Sequence, residues 1–83
     1  MKIWAVVRKN NKIIGDLILE NGEVEALIFQ ACEHFDIGKP LILTKNETEL
    51  NDFRRTVFYS ADFIEPISFD TFEIEIIDED KNK

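Results

Sequence analysis

The N-terminus constrains this chain most: Lys2 to Arg8 and Lys12 to Glu20 are two alternating, β-branched segments parted only by Lys9-Asn10-Asn11. Period-two alternation is the pattern of a half-buried strand, and asparagine tolerates the positive φ that tight hairpin turns demand. The chain is therefore expected to open with a β-hairpin. Alternation places Ile3, Ala5 and Val7 on one face with Ile13, Gly15, Leu17 and Leu19. The other face then carries Lys2, Trp4, Val6 and Arg8 with Lys12, Ile14, Asp16, Ile18 and Glu20. The first set, richer in apolar residues, is the expected core side.

Downstream the period changes. Val24, Leu27, Ile28, Ala31 and Phe35 form one stripe of a 3.6-residue repeat, which predicts a helix from Glu23 to Asp36. Asn21 is a candidate N-cap, Glu23 complements the positive end of the helix dipole, and Gly38 and Pro40 end the element. Leu41 to Thr44 reads as a short strand after Pro40. Asn46 with Glu49 three residues on is a capping-box variant that predicts a second helix from Glu47 to Arg55. Thr56 to Ser60 is expected to be extended, and Ala61 to Ile67 a loop whose Phe63 and Ile64 tuck under the domain. Phe69 to Ile77 alternates again and predicts a final half-buried strand.

Composition bounds the class. Eighty-three residues and 9.7 kDa allow one small core, and 45% apolar residues with only 3 Gly and 2 Pro exclude disorder and low complexity. The expected organisation is one α+β domain over residues 1–77 and an acidic, flexible tail over 78–83. The net charge of −7 disfavours direct binding to nucleic acid, whose affinity rests on basic residues. One cysteine, Cys32, cannot staple the fold, which favours a reducing, cytoplasmic home. No apolar run is long enough for a bilayer span, so no membrane partner is expected.

The order strand, strand, helix, strand, short helix, irregular segment, strand (ββαβαβ) resembles the β-grasp, the ubiquitin-like topology. That resemblance implies a mixed sheet packed on one main helix, with the last strand parallel to the first at the sheet's centre. A ferredoxin-like or other ββαβαβ split is the alternative. The chain ends in Glu79-Asp80-Lys81-Asn82-Lys83 rather than Gly-Gly, so the resemblance carries no conjugation chemistry, and it lacks the four thiolates of an iron–sulfur ferredoxin. The phrase Phe63-Ile64-Glu65-Pro66-Ile67-Ser68-Phe69-Asp70, with Phe53-Arg54-Arg55-Thr56 upstream and Phe72-Glu73-Ile74-Glu75-Ile76-Ile77 after it, resembles the end of small bacterial proteins of unknown function. The second resemblance implies a bacterial source and supplies no active site.

No catalytic, cofactor-binding or metal set emerges. Cys32 and His34 lie two apart on a helix and point about 200° away from each other, which rules out a shared proton. One His and one Cys make no zinc set, and Gly15, Gly22 and Gly38 are isolated, unlike a phosphate-cradling loop. The adjacent Arg54 and Arg55 suit a helix C-terminus and acids such as Glu47 or Asp52, or else the clamping of a carboxylate or phosphate.

What stands out is the second face of the hairpin, where Trp4, Val6, Ile14 and Ile18 sit amid a rim of Lys2, Arg8, Lys12, Asp16 and Glu20. A solvated sheet face should be polar, so something is expected to cover these four: the chain's own Thr56 to Ile67 segment, a second copy, or another protein. The leading expectation is a non-enzymatic protein-interaction domain using this surface. The alternative rests on the run from Asp62 to Asp80, which holds Asp62, Glu65, Asp70, Glu73, Glu75, Asp78, Glu79 and Asp80 and no base. It is an acidic mimic of nucleic acid that inhibits a basic DNA-handling protein.

Overall fold

The computed structural model describes residues 1–77. Two strands, β1 (Lys2–Lys9) and β2 (Lys12–Glu20), are followed by two helices, α1 (Val24–His34) and α2 (Thr44–Phe53), and by β3 (Arg55–Tyr59) and β4 (Thr71–Ile76). The sheet order is β2-β1-β4-β3 and every neighbouring pair is antiparallel. The molecule is an α+β domain of two layers. Helix α1 packs on β1 and β2, and α2 on β3.

The hairpin forms as its sequence requires. Asn10 and Asn11 both adopt positive φ, 55° and 66°, which is the geometry of a two-residue type I′ turn. The turn is tied to the start of the neighbouring β4 by Asp70, whose Oδ2 accepts the Asn10 N–H at 2.8 Å while its own N–H donates to Arg8 O at 2.8 Å. One β-bulge interrupts the pairing: Val7 lies opposite Gly15 and Arg8 opposite Ile13, so Ile14 has no partner. An extra residue inverts the alternation beyond it. Gly15 faces the core opposite Val7, where a Cβ would come within 3.2 Å of the Phe35 ring.

The last strand departs from the β-grasp expectation. β4 lies beside β1 but runs antiparallel to it, Ile3 opposite Ile76 and Val7 opposite Phe72. Residues 41–43 form no strand; Pro40 makes one isolated bridge with Phe63, Leu41 N–H donates to Asp62 O, and Thr44 already belongs to α2. The observed order is ββααββ. With no strand between the helices, no parallel crossover is required, and β4 returns from β3 in the antiparallel sense.

Both helices begin and end differently from the sequence reading. At the start of α1, Asn21 takes φ 72° and gives its N–H to Met1 O, while Glu23 occupies the N-cap without a side-chain bond. Its C-terminus closes as a Schellman motif, with Asp36 N–H to Glu33 O and Ile37 N–H to Cys32 O. Asp36, at φ 57°, fills the left-handed position glycine usually holds. Helix α2 starts at Thr44, so Asn46 stands in its first turn rather than at its cap. From there the Asn46 side chain accepts the Leu43 N–H at 2.9 Å. The buried Asn46 amide also donates to Thr56 Oγ1 at 2.9 Å, and the Thr56 hydroxyl donates to the Glu49 carboxylate. Buried polar atoms need partners, and this chain supplies them while fixing α2 to β3.

The core lies between the sheet and the helices: Ile3, Ala5, Val7, Phe72, Ile74 and Phe58 from the strands meet Leu27, Ile28, Ala31, Cys32 and Leu50. Phenylalanines concentrate at one end, where Phe58 and Phe72 stack at 6.0 Å and Phe63 stands edge-on to Phe58 and Phe69. Phe63 is thus tucked under the domain as expected, but Ile64 is 80% exposed. Residues 78–83, expected to form an acidic tail, lie outside the described residues.

Candidate functional site: the open sheet face

The face of the sheet opposite the helices can be built row by row from the register. One row reads Ile18, Trp4, Glu75, Arg55; the next Asp16, Val6, Glu73, Val57; the third Ile13, Arg8, Thr71, Tyr59. Each strand contributes because its alternate residues must face away from the core.

Two sets of contacts order this face. Trp4 donates its indole N–H to Asp16 Oδ2 at 2.9 Å, which holds a half-buried ring across β1 and β2. Glu73 sits between two guanidiniums, 2.6 Å from Arg8 Nε and 3.5 Å from Arg55 Nη2, and its side chain is only 16% exposed. The Thr71 hydroxyl reaches the same carboxylate at 3.4 Å. Val6 lies amid these groups and is 2% exposed, although no helix touches this side. Its neighbours on the same face of β1, Trp4 and Arg8, are long amphipathic side chains of the kind that covers adjacent apolar surface.

Of the four residues expected to form the patch, Trp4 and Ile18 are direct cross-strand neighbours, and Ile18 is 54% exposed. Val6 shares their face but is buried beneath its neighbours. Ile14 does not join them: the bulge moves it to a groove of about 380 Å³ whose lining includes Val7, Phe35 and Phe69. Ile13 takes its place opposite Arg8 and is 46% exposed. Sequence reasoning also missed Val57 and Tyr59, which extend the apolar surface across β3. Their signal was the period-two run Arg55, Val57, Tyr59, legible once that segment is taken as a strand.

The chain's own 56–67 segment does not cross this face. β3 lies in the sheet itself, and Phe58 and Phe63 point into the core on the other side. Among the described residues no element covers the row of Trp4 and Ile18.

The other candidates resolve simply. Cys32 is buried, and burial pushes its thiol up to about 11, with Lys39 acting in the opposite direction and Glu33 adding slightly. The thiol is thus protonated and inert, while His34 is exposed and makes an edge contact with Phe35. Arg55 engages Glu73 across the sheet rather than Glu47 or Asp52. Arg54 takes φ 60° in the one-residue turn between α2 and β3. No group of three or more metal-ligating side chains occurs among the described residues, and no helix there is long and apolar enough to cross a membrane.

The described acids of the 62–80 run are dispersed. Asp62 accepts the Tyr59 N–H, Asp70 holds the hairpin turn, Glu73 is bound by two arginines, and Glu65 lies against Gly38. Asp78, Glu79 and Asp80 lie outside the described residues. Comparison with protein-family models, with curated proteins and with solved structures finds no match.

Proposed function

We propose that this chain is a non-enzymatic protein-interaction domain of the cytoplasm that binds a folded partner through its open sheet face. The observation that carries the reading is a four-stranded face on which Trp4, Ile13, Ile18, Val57 and Tyr59 lie together with no described element over them. An apolar centre anchored by tryptophan within a charged rim is the anatomy of a contact site. Holding the Trp4 ring on Asp16 before binding reduces the rotamer entropy lost on association.

The rim indicates the partner's chemistry. Both arginines of the face are engaged with Glu73, whereas Glu20 and Glu75 are in no ion pair among the described residues. With a net charge of −7 on the whole chain, the complementary surface is apolar at its centre and basic at its margin.

The test is affinity capture from a bacterial extract at low and high salt, wild type beside Trp4→Glu, followed by titration of the purified pair. One partner whose affinity survives high salt and falls at least about 100-fold in Trp4→Glu supports the reading. A partner lost with salt but indifferent to Trp4→Glu favours the acidic mimic instead. A purified pair unaffected by either change ends the proposal.

A further inference from the structure

The sheet has two unpaired edges, and the register decides which backbone groups they present. Ile76 donates its N–H to Arg54 O at 2.8 Å, so these two residues form a hydrogen-bonded pair. Such pairs alternate along an antiparallel ladder. Thr56 and Phe58 therefore bond to β4, opposite Ile74 and Phe72, and Arg55, Val57 and Tyr59 turn their N–H and C=O groups away from the sheet. Asp62 already takes the Tyr59 N–H, at 2.8 Å. What remains at the β3 edge is the N–H and C=O of Arg55 and of Val57, four groups in a row. An edge of this kind is a template for another strand.

This edge is flanked by a groove rather than covered. A cavity of about 410 Å³ runs between α2 and β3, lined by Lys45, Glu49, Phe53, Arg55, Val57 and Tyr59 among others. Phe53, at the end of α2, is 71% exposed, and Tyr59 is 54% exposed. Two large aromatic rings at that exposure beside free backbone groups form a surface that association would desolvate.

We propose that β3 pairs antiparallel with β3 of a second copy about a two-fold axis at Thr56, giving one continuous eight-stranded sheet. In this register Arg55 of each copy faces Val57 of the other, which uses all four free backbone groups and leaves the Tyr59 N–H on Asp62. Tyr59 of one copy and the α2 end bearing Phe53 of the other then come to the same end of the shared edge, so association desolvates the two most exposed rings of the groove together. Helix α2 folds back along β3, with Asn46 and Glu49 both joined to Thr56. The axis therefore sets the Lys45 end of one α2 beside the Asp52 end of the other. Lys45 is in no ion pair among the described residues, and a helix C-terminus bearing a carboxylate attracts a cation. The same patch serves both copies and the pair is closed, the commonest form of oligomer. The proposal goes beyond the reading of the open face: it joins two such faces, with their Trp4 residues about 24 Å apart across five strand spacings.

Sedimentation equilibrium over a concentration series tests it, on wild type, Val57→Pro, Phe53→Asp and Trp4→Glu, with amide hydrogen exchange on the wild type. Proline is tolerated on an edge strand where its N–H would face solvent, and Phe53→Asp leaves the strand untouched should the first variant unfold. The expected result is a wild-type dimer whose dissociation constant rises at least about tenfold in Val57→Pro and Phe53→Asp and is unchanged in Trp4→Glu. The Arg55 and Val57 amides should gain protection as concentration rises. A wild type that stays monomeric to about 1 mM overturns the proposal, as does a dimer lost only in Trp4→Glu, which would place self-association on the open face.

Discussion

Replacing Asn46 should unseat α2 from the sheet, and the cost can be worked from the bonds it makes. Its Oδ1 accepts the Leu43 N–H and its Nδ2 donates to Thr56 Oγ1, each at 2.9 Å, with the side chain fully buried. Asn46→Ala removes two hydrogen bonds worth about 1 kcal/mol each and leaves a small cavity, for a total of about 2–4 kcal/mol. A domain of this size loses roughly 4–8 °C in Tm per kcal/mol, so melting should fall by about 8–32 °C. Thr56→Val keeps the shape but strands a buried Asn46 N–H and removes a donor from Glu49, at about 1–3 kcal/mol. Asn46→Leu with Thr56→Val removes both partners at once. Because much of each single loss is the penalty of an orphaned group, the double variant should cost about 1–2 kcal/mol less than the sum of its single variants. Urea denaturation followed by circular dichroism measures all the variants. A loss below about 0.5 kcal/mol in Asn46→Ala, or strict additivity in the cycle, would refute the view that this chain of bonds fixes the helix.

Other consequences are simpler. Cys32 should resist iodoacetamide at pH 8 in the native protein and react once urea is added, as followed by mass spectrometry. Its raised pKa also sets a direction: the stabilisation is complete below pH 9 and is lost as pH rises towards about 11, because the unfolded chain releases the thiol proton first. Alkaline denaturation of Cys32→Ala should be shallower over that window than that of wild type. Asp36→Gly and Arg54→Gly relieve left-handed backbone at φ 57° and 60° and should each stabilise by about 0.5–1 kcal/mol, read from urea midpoints. Glu73→Gln leaves two guanidiniums facing a neutral group and should cost about 1–2 kcal/mol, less at high salt, measured by thermal melts at two ionic strengths.

Local patterns carried a large share of the fold. The Asn10-Asn11 turn, the hairpin register as far as Val7, the α1 stripe and the alternation of Phe72, Ile74 and Ile76 all follow from residue type and spacing, because each feature is decided within a few neighbouring residues. Trp4 and Ile18 were legible as face partners for the same reason. The bulge was not: Ile13 and Ile14 are alike in side chain, and only the strand pairing, Arg8 opposite Ile13 and Val7 opposite Gly15, shows which of them is set aside. Neither was the start of α2, since Asn46 looks like a cap in sequence and acts as a buried link to Thr56 in space.

Sequence by itself determined that this chain would fold as one acidic α+β domain beginning with a hairpin, since length, apolar content and period are sums over local choices. Only the tertiary structure decided the direction of β4, the union of Arg8, Glu73 and Arg55 on one carboxylate, and the edge left open at β3. Those features join residues as far apart in the chain as Ile3 and Ile76, and no local period reports which strand an element will choose to lie beside.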